Sequence, residues 1–294
     1  MADPSAKGVI HDLGYRHYEG ERLGRAQIVR ALYVDSAKGA FGIGRSAKSK
    51  VMPMLVLGAI CLPAVIVAVV ASVTHLDRLP GGYTSYLVKT QALIMVFVAG
   101  QAPASVSRDL RFHVMSLYFS RPLQRVDYVA AKLAALATAV FVLCALPLTI
   151  LFAGALLAKL PLSEQLPDFS RSVGGAVLLA LVLAGIGLVI AAITPRRGLG
   201  VASIITVLAV LAGVHGIVQG IATEQGNDSV AGYAGLLSPF SLVHGVQHST
   251  LGADTVYPAS PPGMLGAWVF AAVLVAVVGG AFGALLLRYR GVRI

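Results

Sequence analysis

The sequence predicts an all-α integral membrane protein with six transmembrane helices, and three observations predict it. Of the 294 residues, 57% are hydrophobic and only 12% charged, with a mean hydropathy of +0.80. A soluble chain of this length needs far more charge to cover its surface, so the excess apolar area faces lipid. Runs of the roughly 20 apolar residues that cross a bilayer core about 30 Å thick recur along the chain. These runs are apolar on all sides and rich in Ala, Val and Leu, unlike the alternating segments of about 10 residues that build a membrane barrel.

Residues 1–50 form a polar segment with nine Lys and Arg, and residues 51–294 form the six-span domain. Within the first segment, Arg16 to Ser36 sets Leu23, Ile28 and Leu32 against Arg22, Arg25 and Arg30, the pattern of an amphipathic helix. Gly39, Gly42 and Gly44 then permit a bend. No apolar stretch near the start marks a cleavable signal peptide. The spans follow at Val51 to Thr74, Tyr83 to Ser105, Tyr128 to Ala158, Ser172 to Ile193, Leu199 to Ile221 and Met264 to Leu287. Cys61 and Cys144 fall inside spans and read as small apolar fillers.

Charge sets the expected orientation. With the N-terminus inside, eighteen Lys and Arg lie in the cytoplasmic segments, whereas the outer segments hold only Arg78, Lys159 and Arg171. The positive-inside bias therefore puts both termini in the cytoplasm of a multi-pass plasma-membrane protein. The net charge of +10 is on this reading a topology signal, not the basic surface of a nucleic-acid-binding module.

Charge is densest between the second and third spans, in Val106 to Tyr128, with Arg108, Asp109, Arg111, Arg121, Arg125 and Asp127. It could simply flank two span ends. Yet Val106, Leu110, Val114 and Leu117 also recur at near-helical spacing, with Arg108, Asp109, Arg111 and Ser116 largely elsewhere around the helix. A short amphipathic helix at about 106–119, stopped by Pro122, would give a cytoplasmic partner a handle.

This segment resembles the six-span permeases of the type-two ABC transporters. There the second span runs into a cytoplasmic coupling helix of the form Ser-Arg-acidic, followed by a Ser-Arg-Pro-like bend, an Arg, and a Lys opening the third span. Here stand Ser107, Arg108 and Asp109, then Ser120, Arg121 and Pro122, then Arg125, Tyr128 and Lys132. Phe112 and His113 stand where members often have a small Gly. The resemblance implies that Arg16 to Ser36 is an elbow helix along the inner membrane surface. It also implies short re-entrant helices before the last span, within about 222–263, at Leu236 to His248. It further implies two permease subunits, identical or related, with each coupling helix seated on a separate ABC ATPase subunit that binds ATP and Mg. Ser107, Arg108, Asp109, Arg111, Phe112 and Met115 are then the ATPase-coupling residues.

The chain itself has no G-x-x-x-x-G-K-[ST] phosphate loop, so hydrolysis is expected on a partner and no cofactor on this chain. Arg121, Arg125 and Lys132 read as interfacial anchors, Lys132 by snorkelling. Lys89 and Gln91, about two turns into the second span, are candidates for a pathway between subunits. His244 and His248 share the i, i+4 spacing of a metal-binding helix face, but two ligands do not make a site. The expected function is thus the transmembrane subunit of an ABC exporter for an amphiphilic cargo. The alternatives are a secondary carrier or a membrane enzyme or metal-handling protein using the outer histidines.

Overall fold

The computed structural model describes residues 20, 24–74, 79–111, 118, 120, 122–194 and 196–290, without the side chains of 108 and 111. Among them there are helices and turns and no strand. The helices are α1 (Arg25–Ala40), α2 (Ala47–Thr74), α3 (Gly82–Lys89), α4 (Gln91–Arg111), α5 (Arg125–Leu157), α6 (Leu162–Ile193), α7 (Arg197–Glu224), α8 (Asp228–Tyr233), α9 (Pro239–Leu251) and α10 (Gly263–Arg290), with a 3₁₀ turn at Ala234–Leu237. Five of these, α2, α5, α6, α7 and α10, are long and apolar enough to cross a membrane, and the bent pair α3–α4 makes six. At 1.5 Å per residue, a 28-residue helix such as α2 is about 42 Å long.

The helices alternate in direction, so the starts of α2, α5 and α7 lie at the same end of the bundle as the ends of α4, α6 and α10. Arg45, Lys48, Lys50, Arg125, Arg196, Arg197, Arg288 and Arg290 concentrate there, and it is called the basic end below. At the centre, α4, α5 and α6 pack against one another around Phe97, Ile94, Leu143, Leu148, Leu183 and Leu188, all fully buried. The apolar window of α6 is 61% buried, against 22% for α2, 17% for α7 and 22% for α10. The three peripheral helices therefore keep apolar faces for lipid or for another subunit.

Local chemistry accounts for the breaks. The second span bends by 55° between α3 and α4, at Thr90, whose hydroxyl donates back to the carbonyls of Tyr86 (2.9 Å) and Leu87 (3.3 Å). Such back-bonding competes with the helix and bends it. Tyr86 in turn donates to the Ile60 carbonyl and ties α3 to α2. The N-terminal helix runs on to Ala40, past the Ser36 expected from the apolar pattern, because Gly39 remains helical. The turn falls at Gly42 and Gly44, at φ 70° and 80°, where an L side chain is strained. A Cβ at Gly39 would meet the Arg45 guanidinium at 2.7 Å, so the missing side chain seats that arginine. The Arg16 to Leu23 part of the expected helix, Gly20 excepted, lies outside the described residues.

Between α7 and α10, Pro239 opens α9 at a position that needs no N–H, and Gly252 closes it at φ 67°. Every residue from Pro239 to Gln247 is buried, against α6, α10 and the 3₁₀ turn. At 13 residues, about 20 Å, α9 is too short to cross.

Candidate functional site

The basic end carries a network of polar groups that joins five helices. It starts at the N-terminus of α5, where Gln124 and Asp127 form a capping box and the Gln124 N–H donates to Asp127 Oδ2 at 3.0 Å. Arg25 of α1 grips the same carboxylate with Nε to Oδ2 at 2.7 Å and Nη2 to Oδ1 at 2.8 Å, and its Nη2 also donates to Gln124 Oε1 at 2.8 Å. The hydrogen bonds that Arg25 donates to Asp127 raise its pKa further above its already high value. Two turns on, Tyr33 hydrogen-bonds Thr138 of α5 at 2.9 Å, so α1 crosses α5 and finishes against α4.

One turn above the cap, Asp109 of α4 accepts from the Tyr128 hydroxyl at 2.7 Å and pairs with the Lys132 ammonium at 3.0 Å. Lys132 also donates to the Ser105 carbonyl at 2.9 Å. Its side chain is only 9% exposed and that of Asp109 16%. The ammonium expected to snorkel outward is instead turned inward, because a carboxylate and a carbonyl of the neighbouring helix replace its water shell. Tyr128 stacks edge-on against Tyr289 of α10 with centroids 5.3 Å apart. Ser107 donates to the carbonyls of Ala191 (3.2 Å) and Thr194 (3.3 Å), and Arg288 Nε to that of Ala192 (3.2 Å), both at the end of α6.

The residues expected to carry coupling therefore divide. Ser107 and Asp109 face into the bundle and hold the end of α4 to α5 and α6. Arg108 and Arg111 lie on the last turn of α4 with side chains outside the description, while Phe112, Met115 and Arg121 lie outside the described residues altogether. Their segment does not begin as a separate helix at Val106: α4 runs unbroken through Ser105 to Arg111. Arg125 opens α5 and Pro122 sits in a bend just before it. Lys89 and Gln91 come to the α3–α4 bend, with Lys89 exposed and its ammonium reaching back over Gly81, where a Cβ would lie 2.9 Å from it. That is the opposite end from Lys132.

At this opposite end lies a second polar cluster that the sequence reading passed over. Tyr83 donates to Gln165 at 2.8 Å, Thr84 and Ser172 share a hydrogen bond at 2.9 Å, and the Gln247 amide donates to Thr84 Oγ1 at 3.3 Å and the Arg171 carbonyl at 3.1 Å. The only sequence signal was Gln and Ser in otherwise apolar helices. Gly175 makes room for the Gln247 amide, which would collide with any Cβ there. Beside the cluster opens a cleft of about 560 Å³ lined by Tyr83, Gln165, Asp168, Arg171 and Asp254. Gln247→Leu removes both amide bonds, and we expect a loss of about 1–2 kcal/mol, read as a lower melting temperature in detergent.

The two histidines of α9 do not converge on a common ligand. His248 Nδ1 donates to the Ala253 carbonyl at 2.7 Å. His244 Nε2 lies 3.2 Å from both the Asp254 carbonyl and the Val256 N–H, so it is occupied in either tautomer. Burial holds His244 below the usual imidazole value, and Tyr257, pushed up to about 12 by burial, packs edge-on against His244 and His215 at 5.1 and 5.0 Å. Among the described residues no group of three His, Cys, Asp or Glu side chains could hold a metal ion.

No protein-family model matches the chain, and no curated protein matches it. Among the described residues the chain is all-helical, with five or six helices long and apolar enough to span a membrane.

Proposed function

We propose that this chain is the transmembrane subunit of an ATP-driven transporter of the type-two ABC class, an exporter that pairs with a second permease subunit. ATP, with Mg, is bound and hydrolysed on separate ATPase subunits. The observation that carries the reading is the fastening of the α4–α5 connection at its root. The carboxylate of Asp109, the Lys132 ammonium and the Tyr128–Tyr289 pair bind the end of α4 to α5 and α10, and Ser107 binds it to α6. A force on the charged connection would thus reach four spanning helices together. Coupling of this kind requires an element whose two arrangements ATP binding distinguishes. The Ser107–Arg108–Asp109 and Ser120–Arg121–Pro122 pattern adds support, as do the apolar faces left open on α2 and α7 for a second subunit.

The test spares Asp109, whose carboxylate is committed inside the bundle. Coexpressed with the genes that neighbour its own, the tagged chain should bring down an ATPase. Arg108→Glu with Arg111→Glu should weaken that association or its stimulation roughly tenfold, within the usual range of coupling free energies, while membrane insertion is unchanged. A chain that purifies without an ATPase, or an ATPase indifferent to the double substitution, would overturn the proposal.

A further inference from the structure

A crevice of about 260 Å³ opens at the basic end between the start of α2, the last turns of α4 and the start of α7. Its cations are Arg45 from the α1–α2 turn, Lys48 from the first turn of α2 and Arg197 from the first residue of α7; no Asp or Glu lines it. None of the three makes an ion pair among the described residues. An adjoining hollow that Arg45 also lines carries one carboxylate, the exposed Asp35. Two helices begin at this crevice and bring the positive ends of their dipoles to it.

An independent feature lies in the floor. Gln101 of α4 is 6% exposed, and its amide nitrogen meets only the Met52 thioether, at 3.5 Å, a weak acceptor. A buried amide ordinarily finds a full partner. Gln101 lines the crevice. Three unpaired cations, two helix starts and one under-satisfied buried donor make a site for a phosphate oxyanion.

The surroundings favour a lipid as its source. On the same turns, Val51 and Leu55 of α2 and Leu199 of α7 remain exposed, and Met52 and Pro53 form part of the crevice wall. Acyl chains could lie along α2 and α7 while the headgroup sits among the charges. We infer that this crevice binds the phosphate of an anionic phospholipid from the leaflet at the basic end. The inference rests on the membrane-spanning helices and stands apart from coupling to an ATPase.

Native mass spectrometry of the full chain in neutral detergent, with equal phosphatidylglycerol and phosphatidylcholine, gives the test. The wild type should retain phosphatidylglycerol about tenfold over phosphatidylcholine, as expected where several basic side chains each add attraction. Arg45→Gln with Arg197→Gln should abolish the preference, and Gln101→Leu should reduce it with no change in charge. Lys38→Gln with Lys50→Gln, equal in charge loss but outside the crevice, should leave it intact. Lack of preference in the wild type, or an equal loss in the control pair, would overturn the inference. So would millimolar inorganic phosphate displacing the lipid completely, since the site would then take a free anion. Should Gln101→Leu fail to fold, the surface arginine pair decides alone.

Discussion

Lys132→Met should be among the most costly single substitutions in the chain, lowering stability by about 3 kcal/mol, the low end for breaking a buried ion pair. The reason is the carboxylate left behind. Asp109 lies mostly out of water, and without the ammonium at 3.0 Å it keeps the Tyr128 hydroxyl as a donor, which cannot neutralise a full charge. Asp109→Asn alone should cost less, since the amide carbonyl still accepts from Tyr128 and Lys132 retains the Ser105 carbonyl at 2.9 Å. The combination is the decisive variant. With both charges gone, Asp109→Asn with Lys132→Met should recover more than half of the loss caused by Lys132→Met alone. Thermal unfolding in detergent, followed by size-exclusion recovery, reads all three. Additive losses would show that the two side chains are not energetically coupled, and the root of the α4–α5 connection would lose its anchor.

That pair also shows where reading the sequence stops. Hydropathy is a property of a run of residues and needs no knowledge of neighbours, so the spans and their alternation were legible from Ala, Val and Leu content alone. Depth was legible too: Lys132 was placed near the basic end of its span. The direction in which a side chain points around a helix depends on which helices surround it, and Lys132 was therefore read as facing the interface when it faces Asp109. The same gap hid the polar cluster at the opposite end. Thr84, Gln247 and the pair Gln165 and Ser172 lie on three different helices, α3, α9 and α6, and only packing brings them together. Local chemistry misled in the opposite sense at Gly39, where a glycine suited to a turn serves instead to admit the Arg45 guanidinium. At Ser105 the change from apolar to charged residues suggested a boundary, yet the backbone hydrogen bonds of α4 ignore side-chain polarity and continue to Arg111.

Gly154→Val should separate α2 from the bundle. These helices approach so closely that a Cβ at Gly154 would strike the Ala68 methyl and lie 2.7 Å from the Ala68 Cα. Neither is the movable end of a long side chain. In lipid, where the hydrophobic effect gives little drive to helix association, contacts between small residues supply much of the attraction. α2 has few contacts in reserve: its buried side chains, Pro53, Val56, Ile60, Ala64, Ala68 and Ala71, form one narrow stripe. Forcing two methyl-bearing carbons into this contact costs on the order of 3 kcal/mol, the upper part of the usual range for overpacking. The control is on α2 itself. At Gly58 a Cβ meets nothing within 4 Å, so Gly58→Val should shift stability by no more than about 0.5 kcal/mol. Melting temperatures of the two variants in one detergent make the comparison. Equal shifts would mean that α2 tolerates a wider gap from α5, and the close approach at Ala68 would not be what holds it.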